Sequence, residues 1–449
     1  MNTSSRSFAG WIDASPLTRF QITIFILCGC VAFLDGLDSQ SIAIAAPLIV
    51  DALGLQKTQL GVVFSSGVLG GVLSALALGT LADRIGRKRV LVVATALFGF
   101  GTLGTAFAGS FMSLVLWRVL AGVGLGGAVP CFLALASEYA PARRRATISS
   151  LLWAAFPLGG MAGGFANGWI LRHYDWHVIF VVGGALPLLC AVAVAAWLPE
   201  STRFLATRPG RQAALARIAR RLGAPQDLCV SPDEIRAEGV PLRQLFANGR
   251  SAATLLLSGA FFTAFGTLAI ALLWTPILLR QNGIHASDAA IVVGYHGLGA
   301  LIGMGAVGRL IERFGSVRVL VPALLAGAVS IALTEVMGSS VLGSAITMTL
   351  VGLFVGIGAS GAISLAVLVF PSEIRSTGVG WSMGAGRLGQ VVAPVLIGVL
   401  IQHGVTVEQV LLYTGVAPAV AALCIAVMGI ARLLPPREAR TARSELAVH

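Results

Sequence analysis

The chain has 449 residues, of which 56% are hydrophobic and only 11% are charged, and its mean hydropathy is +0.88. Soluble domains average about 25% charged residues, so this composition excludes a soluble protein and indicates an integral membrane protein. The formal net charge of +12 raises the question of a nucleic-acid partner.

Twelve apolar stretches are long enough to cross a bilayer, which takes about 20 residues each. Residues 1–19 are polar and the first apolar run is itself long enough to span, so no cleavable signal peptide is predicted. In chain order the predicted spans are 20–49, 58–81, 90–109, 112–137, 146–171, 178–198, 252–279, 288–308, 318–338, 341–370, 377–401 and 407–433.

The basic residues are concentrated on one side of these spans. If the N-terminus is cytoplasmic, 26 of the 31 Lys and Arg residues fall in the tails and the inward loops. This asymmetry is what the positive-inside rule predicts, and it places both termini in the cytoplasm. The basic residues therefore orient the chain in a membrane, which excludes nucleic-acid binding and predicts a lipid-embedded protein of the bacterial cytoplasmic membrane.

The two halves of the chain repeat each other. "GTLADRIGRKRVL" (79–91) aligns with "GRLIERFGSVRVL" (308–320) at an offset of 229, and Pro47 and Pro276 lie at the same offset. The pattern predicts two six-helix halves, and such repeats are typical of secondary transporters, which bind substrate at the midplane between the halves. The predicted organisation is an N-terminal tail (1–19), a first six-helix half (20–198), a linker (199–250), a second six-helix half (251–433) and a C-terminal tail (434–449).

Within the linker, "RPGRQAALARIARRLG" places Leu215, Ile218, Ala219 and Leu222 at helical spacing against arginines. This pattern predicts an amphipathic helix. It either lies on the inner membrane surface or is a solvated connector.

Two acids interrupt the first span. Asp35 and Asp38 are three residues apart and share one helix face, and charges within a span are typical of transport pathways. Arg118 opens the fourth span and cannot lose its charge, so it needs Asp35 or Asp38 as a partner. Gly122 and Gly126 follow it at four-residue steps on the same face, which predicts close contact with another helix. The second half has Ala264 and Thr267 at the equivalent positions, so we expect proton coupling in the first half. One alternative for the two acids is that they satisfy backbone groups at a helix break near Gly36. The alternative for Arg118 is a purely structural ion pair with one of them.

Several stretches resemble the major facilitator superfamily: "GTLADRIGRKR" its loop 2–3 signature, "RVLAGVGLG" (118–126) its fourth-helix motif and "LPESTRFL" (198–205) the end of its sixth helix. "FLDGLDSQSIAIAAPLI" and "SEYAPARRRAT" (137–147) resemble the aromatic acid:proton symporter family within it. The resemblance implies an all-α fold of twelve transmembrane helices in two pseudo-symmetric halves, and it places Arg118 beside the proton site.

Other polar and aromatic residues within the spans are candidates for binding substrate. Arg387 has Gln390 on the same face, and a guanidinium of this kind pairs bidentately with a carboxylate. The alternative is that Arg387 reaches the headgroups. His296 is a candidate contact or proton group, although a lone histidine is more often a satisfied core residue. The remaining candidates are a hydrogen-bond donor, Asn167, and three aromatic residues suited to a benzene ring, Phe33, Trp153 and Trp274.

The resemblance also implies a cytoplasmic gate. A carboxylate at the turn of the loop 2–3 signature can pair with basic groups or with a helix N-terminus. Glu138 with Arg143–Arg145, Arg144 among them, and Glu312 with Arg313 are predicted to form related latches. The signature supplies Gly79, Asp83, Arg84, Gly86 and Arg87.

These features predict a monomeric transporter that imports an aromatic carboxylate with protons. A drug exporter of the same fold is the first alternative, since "WAAFPLGGMAGG" (153–164) matches part of the helix-five exporter signature, with Phe156 in place of the Gly before Pro157. A non-transporting receptor is the second, although 434–449 is too short for a signalling tail. No nucleophile–base pair, phosphate loop or metal cluster stands out, so we expect no enzyme activity, no cofactor and no metal.

Overall fold

The computed structural model describes residues 8–208, 211–224, 242–247, 249–337, 340–371, 374–431 and 433. All regular elements in these ranges are helical. The chain divides into two compact units, Met1–Glu238 (unit 1) and Gly239–His449 (unit 2). The division falls within the predicted linker. The predicted tail 434–449 lies outside the described residues, as do residues 1–7 and most of the linker after 224.

Unit 1 contains nine α-helices in its described part. Six are long and three are short. In chain order they are α1 (Phe8–Ala14), α2 (Arg19–Leu53), α3 (Lys57–Ile85), α4 (Arg87–Thr105), α5 (Phe111–Tyr139), α6 (Ala142–His173), α7 (His177–Trp197), α8 (Thr202–Ala206) and α9 (Gln212–Arg221).

Unit 2 begins in its described part with a 3-10 turn, Leu242–Leu245, and continues with six long helices. These are α10 (Ser251–Gln281), α11 (Ala286–Phe314), α12 (Ser316–Met337), α13 (Val341–Val369), α14 (Arg375–Gln402) and α15 (Val407–Ile430).

Eleven of the described helices are long and apolar enough to cross a membrane. The other long helix, α4, has 19 residues and opens with Arg87, Lys88 and Arg89, which reduces its apolar length. The long helices therefore number twelve in the described part of the chain, six in each unit, as the sequence predicts.

The two units pair their helices in the same way. In unit 1, α2 packs on α6, α3 on α5 and α4 on α7, and in unit 2, α10 packs on α14, α11 on α13 and α12 on α15. Matched helices also have matched lengths: α3 and α11 each have 29 residues and start 229 positions apart. Helices α5 and α13 each have 29 residues and start 230 positions apart. The repeat in the sequence is thus a repeat in structure.

Glycines allow α5 to contact α3 directly. A methyl group at Gly122 would overlap the carbonyl of Gly67, and one at Gly126 would overlap that of Gly71. The same contact recurs in unit 2, where a methyl group at Gly352 would overlap the carbonyl of His296. The close helix contact predicted for the glycines that follow Arg118 is therefore present.

The predicted amphipathic helix corresponds to α9, and its apolar face is buried. Ile218 and Leu222 belong to the same hydrophobic cluster as Phe8 and Ile12 of α1. Asp13, near the end of α1, accepts a hydrogen bond from the backbone N–H of Ala142, the first residue of α6. Unit 1 itself therefore covers the apolar stripe of α9.

Candidate functional site

A buried ion pair lies in the interior of unit 1. The guanidinium of Arg118 donates from Nη1 to Oδ1 of Asp38 at 3.3 Å and from Nη2 to Oδ2 at 3.1 Å. The Asp38 side chain is 0% exposed and that of Arg118 is 6% exposed. Of the two partners that the sequence allowed for Arg118, the structure selects Asp38. A bidentate pair is the geometry in which guanidinium and carboxylate bind most strongly.

The helices explain why this pair can form. Asp38 is near the middle of α2, which has 35 residues, while Arg118 is the eighth residue of α5. A side chain at Gly67 of α3 would fill the space beside the guanidinium, since a Cβ there would lie 3.6 Å from Nη2 of Arg118. Gly67 of α3 therefore lies directly beside the guanidinium, and a Cβ at this position would be in ordinary van der Waals contact with it.

Thr102 of α4 completes the site, and it is not among the residues predicted from the sequence. Its Oγ1 donates to Oδ1 of Asp38 at 2.8 Å, and the residue is 0% exposed. Threonine is common in apolar helices, so no sequence signal distinguishes Thr102 from its neighbours. Asp38 thus receives hydrogen bonds from two other helices.

Asp35 lies one turn before Asp38 in a different environment. It is half-buried, and Ser39 donates to its Oδ1 at 3.4 Å. The two acids of the first span are therefore not equivalent. Asp38 is enclosed and ion-paired, whereas Asp35 is partly accessible.

Further polar side chains line the contact between α2 and α6. The amide of Asn167 donates to Oγ of Ser41 at 3.2 Å, and Ser41 donates to the carbonyl of Leu37 at 2.9 Å. Gln40 is 4% exposed, and its Oε1 has no hydrogen-bond partner among the described residues. Gln40 and Ser41 follow the acid pair directly in "DSQS", a polar run within an apolar span that could have signalled them. In the same unit the predicted aromatic residues Phe33 and Trp153 are half-buried.

Arg387 lies deep within α14 of unit 2. Twelve residues separate it from the start of α14 at Arg375, which is about 18 Å at 1.5 Å per residue. Its side chain is exposed, and Nη1 donates to Oε1 of Gln390 at 3.2 Å. Among the described residues it has no carboxylate partner. An arginine so far along the helix is poorly placed to reach the headgroups, so the guanidinium is available to an anion.

His296 is enclosed in α11 of unit 2. It is 2% exposed, and both ring nitrogens lack a hydrogen-bond partner within the described residues. A buried polar group without a partner costs about 1–3 kcal/mol. It therefore differs from the satisfied core histidine that was the alternative interpretation. Trp274 of α10, the other predicted residue of this unit, is 1% exposed.

Unit 2 carries no counterpart of the ion pair. At the offset of 229, Asp38 corresponds to Thr267 and Thr102 to Ile331. At the offset of 230 that relates α5 to α13, Arg118 corresponds to Met348. Thr267 donates to the carbonyl of Thr263 in its own helix at 2.8 Å. His296 corresponds to Gly67, the residue beside the Arg118 guanidinium. The repeated position is therefore uncharged in unit 2.

A second polar cluster joins the ends of α3, α4, α5 and α8. The guanidinium of Arg87 contacts the carboxylate of Glu138 and lies 3.4 Å from Asp83. Glu138 also accepts from Oγ of Ser201 at 2.8 Å and from the backbone N–H of Thr202 at 3.0 Å. Glu138 thus neutralises Arg87 and caps the N-terminus of α8.

The predicted latch between Glu138 and Arg143–Arg145 is wrong. These arginines, Arg144 among them, are exposed on the first turn of α6 and do not reach Glu138. Glu138 is directed instead to Arg87 and the N–H of Thr202, because both offer hydrogen bonds in a buried position where the carboxylate is only 4% exposed.

Other predicted gate residues surround this cluster or lie in unit 2. Gly86 has φ of +110°, and a side chain at this position would overlap the carboxylate of Glu200. Glu200 caps α4, because its carboxylate accepts a hydrogen bond from the backbone N–H of Lys88 at 2.9 Å. The carbonyl of Arg84 accepts from Arg208 at 2.6 Å. The remaining residues are less enclosed: a Cβ at Gly79 would meet nothing, and Glu312 and Arg313 are exposed.

Comparison with known proteins gives consistent matches. The Major Facilitator Superfamily profile matches residues 28–281 and 255–447. The gallate transporter of Pseudomonas putida is 33% identical over 436 residues, which cover 94% of this chain and 95% of the relative. The 4-hydroxybenzoate transporter PcaK of the same organism is 32% identical over 427 residues, again covering 94% and 95%. The 3-(3-hydroxy-phenyl)propionate transporter of Escherichia coli (strain K12) is 36% identical over 394 residues, covering 87% and 89%.

Among solved structures, the xylose transporter XylE from E. coli in a partially occluded inward-open conformation superposes with a TM-score of 0.73. It is 18% identical, and the match covers 90% of this chain and 97% of that one. This likeness shows the fold. Together with the long helices, the repeated packing and the profile match, it establishes that the chain is a multi-pass membrane protein that belongs to the major facilitator superfamily.

Proposed function

We propose that this chain imports an aromatic carboxylic acid of the hydroxybenzoate or hydroxyphenylpropionate type, together with protons. The observation that carries the proposal is the identity of 32–36% with three transporters named for such acids, over 87–94% of this chain. The site adds two groups that suit this substrate: an accessible guanidinium deep in α14 and an enclosed acid in α2. The protein would act as a monomer in the bacterial cytoplasmic membrane, with both termini in the cytoplasm.

Arg387 is proposed to bind the substrate carboxylate. Its side chain is exposed along a membrane-spanning helix, and Gln390 is held beside it at 3.2 Å. Arginine and a carboxylate form paired hydrogen bonds that fix the orientation of the acid as well as its charge. We propose candidate contacts for the aromatic ring and its substituents separately in each unit. These are His296 and Trp274 in unit 2, and Phe33, Trp153 and Asn167 in unit 1.

Asp38 is proposed to carry the coupled proton. When it is ionised, Asp38 holds Arg118 through two hydrogen bonds. Protonation removes one charge of the pair and weakens this link between α2 and α5. Asp35 is on the same face of α2, with its Cβ about 5–6 Å away, and can then attract the guanidinium. Exchange of Arg118 between the two acids would connect proton binding to a change in helix packing.

Proton coupling also meets an energetic requirement of import. A monoanion entering a cell with a negative interior works against about 2.3 kcal/mol per 100 mV. One proton carried in the same direction cancels this penalty, and a second would add an electrical driving force.

The test is uptake of labelled aromatic acids by proteoliposomes under an imposed pH gradient. We expect accumulation that requires the gradient, is abolished by a protonophore, and is lost in Asp38→Asn. Accumulation that is indifferent to the protonophore would contradict proton coupling. Substrate movement against the inward proton flux would favour the exporter instead, and binding without any flux would favour the receptor.

A further inference from the structure

We infer that Thr102 is a positioning residue that sets how readily Asp38 takes up and releases its proton. This inference rests on the proposed function, since it requires Asp38 to be the coupled acid. Its geometric basis is the hydrogen bond from Oγ1 of Thr102 to Oδ1 of Asp38, at 2.8 Å, between two residues that are each 0% exposed. Water therefore does not compete for this oxygen of the carboxylate.

Other threonines of the same helix use their hydroxyls differently. Thr95 donates to the carbonyl of Leu91 at 2.7 Å, and Thr105 donates to that of Gly101 at 2.9 Å. Both are 0% exposed, as Thr102 is. Bonding to the carbonyl four residues earlier is the usual arrangement for threonine in a helix. Thr102 instead donates across to α2, so its hydroxyl is committed to the acid.

Few other charges act on Asp38. Among the described helices packed against α2, the one charged residue in the interior of a span is Arg118 of α5. Helix α2 itself adds Asp35 and, near its ends, Arg19 and Asp51. The charged residues and histidines of the neighbouring helices lie at or near helix ends, as Lys57, Asp83 and Arg84 in α3, Glu138 in α5, Arg143, Arg144, Arg145, Arg172 and His173 in α6, and His177 in α7. The basic residues of α4, which carries Thr102, are confined to its first turn. Within these helices, the groups close to the Asp38 carboxylate are thus Arg118, Asp35 and the hydroxyl of Thr102.

The internal repeat allows Thr102 to be compared with the residue at the equivalent position of unit 2. At the offset of 229, Thr102 corresponds to Ile331, which is 1% exposed, and Asp38 corresponds to Thr267. The unit that lacks the acid fills the same helical position with an aliphatic side chain. A hydroxyl at this position accompanies the acid, and the helix packing itself does not require it.

The direction of the effect follows from the charge of the acceptor. A hydroxyl binds an ionised carboxylate more strongly than a neutral acid, so Thr102 favours the ionised form of Asp38. Removing the hydroxyl favours the protonated form. We expect Thr102→Val to move the pH dependence of transport to higher pH by about one unit, which corresponds to a tenfold change in proton affinity.

The experiment measures substrate counterflow in proteoliposomes, with equal pH on both sides, from pH 5 to pH 9. Counterflow does not require net proton movement, so a variant impaired in coupling still gives a signal. The variants are Thr102→Val, which keeps the shape of the side chain, Thr102→Ser, which keeps the hydroxyl, and Thr105→Val as the matched control. We expect the midpoint to shift upward in Thr102→Val alone, with Thr102→Ser and Thr105→Val matching the wild type.

Identical profiles for Thr102→Val and Thr105→Val would overturn the inference. If Thr102→Val does not fold, as judged by size exclusion, Thr102→Ala replaces it and the same comparison applies. Failure of the proposed function looks different, since wild-type accumulation would then be insensitive to a protonophore. A wild type that responds to the protonophore, together with an unshifted Thr102 variant, refutes this inference alone.

Discussion

Replacing the buried ion pair by the residues that unit 2 carries at the same positions tests whether Asp38 and Arg118 act as one unit. The variants are Asp38→Thr, Arg118→Met and the two combined, after Thr267 and Met348. Each single change removes one charge of a pair whose side chains are 0% and 6% exposed, so the remaining buried group loses its bidentate partner. Loss of one partner of a buried pair costs about 3–5 kcal/mol, whereas replacing both by uncharged residues is often neutral or stabilising.

We therefore expect each single variant to unfold at a clearly lower temperature than the wild type, and the double variant to recover most of the loss. The assay is thermal unfolding of purified protein in detergent, followed by tryptophan fluorescence. Thr95→Val is the control, because its hydroxyl is equally buried but bonds only within its own helix. All three ion-pair variants should lose proton-driven uptake. A double variant whose loss of stability equals the sum of the single losses would refute the coupling.

Three further predictions concern other parts of the site. Arg387→Gln should raise the KM for an aromatic acid about tenfold or more, because a hydrogen bond to a charged group is lost; an unchanged KM in initial-rate uptake would exclude Arg387 as the carboxylate contact. His296→Phe should weaken uptake of 4-hydroxybenzoate more than that of benzoate, because an enclosed imidazole with no hydrogen-bond partner among the described residues can bond a ring hydroxyl. Equal effects on both acids would indicate a structural role. Glu138→Gln should destabilise the protein by about 1–3 kcal/mol, because the charge that pairs with Arg87 is lost. Arg144→Gln is the control and should have little effect on the unfolding midpoint. Similar shifts of the midpoint in the two variants would contradict the observed pairing of Glu138 with Arg87.

The sequence was most informative about features that repeat along the chain. The apolar stretches predict the twelve long helices, and the offset of 229 predicts the repeat that the matched packing of α3 on α5 and α11 on α13 confirms. The glycines after Arg118 predict close helix contact for the same reason: residues four apart share a face of one helix. Each of these signals is local, so it can be recognised without knowledge of which helices are neighbours.

The sequence was least informative about contacts across the fold. It allowed Asp35 or Asp38 for Arg118, assigned Glu138 to arginines that are its near neighbours in the chain, and missed Thr102 altogether. Thr102 and Asp38 are separated by 64 positions, and Glu138 and Arg87 by 51. Proximity in sequence is a poor guide in such cases, because an α-helix carries neighbouring residues to different faces.

The amino-acid sequence by itself therefore determined that this protein resides in a membrane, that it is built as two related sets of six helices, and that charges lie within its spans. Hydrophobic length and internal repetition are properties of each segment, and they persist whatever the segment packs against. Only the tertiary structure decided which acid is enclosed, which hydroxyl bonds it and which arginine neutralises Glu138. Those choices depend on the rotation of each helix about its axis and on the distance between helices, which are set by packing side chains from remote parts of the chain against one another.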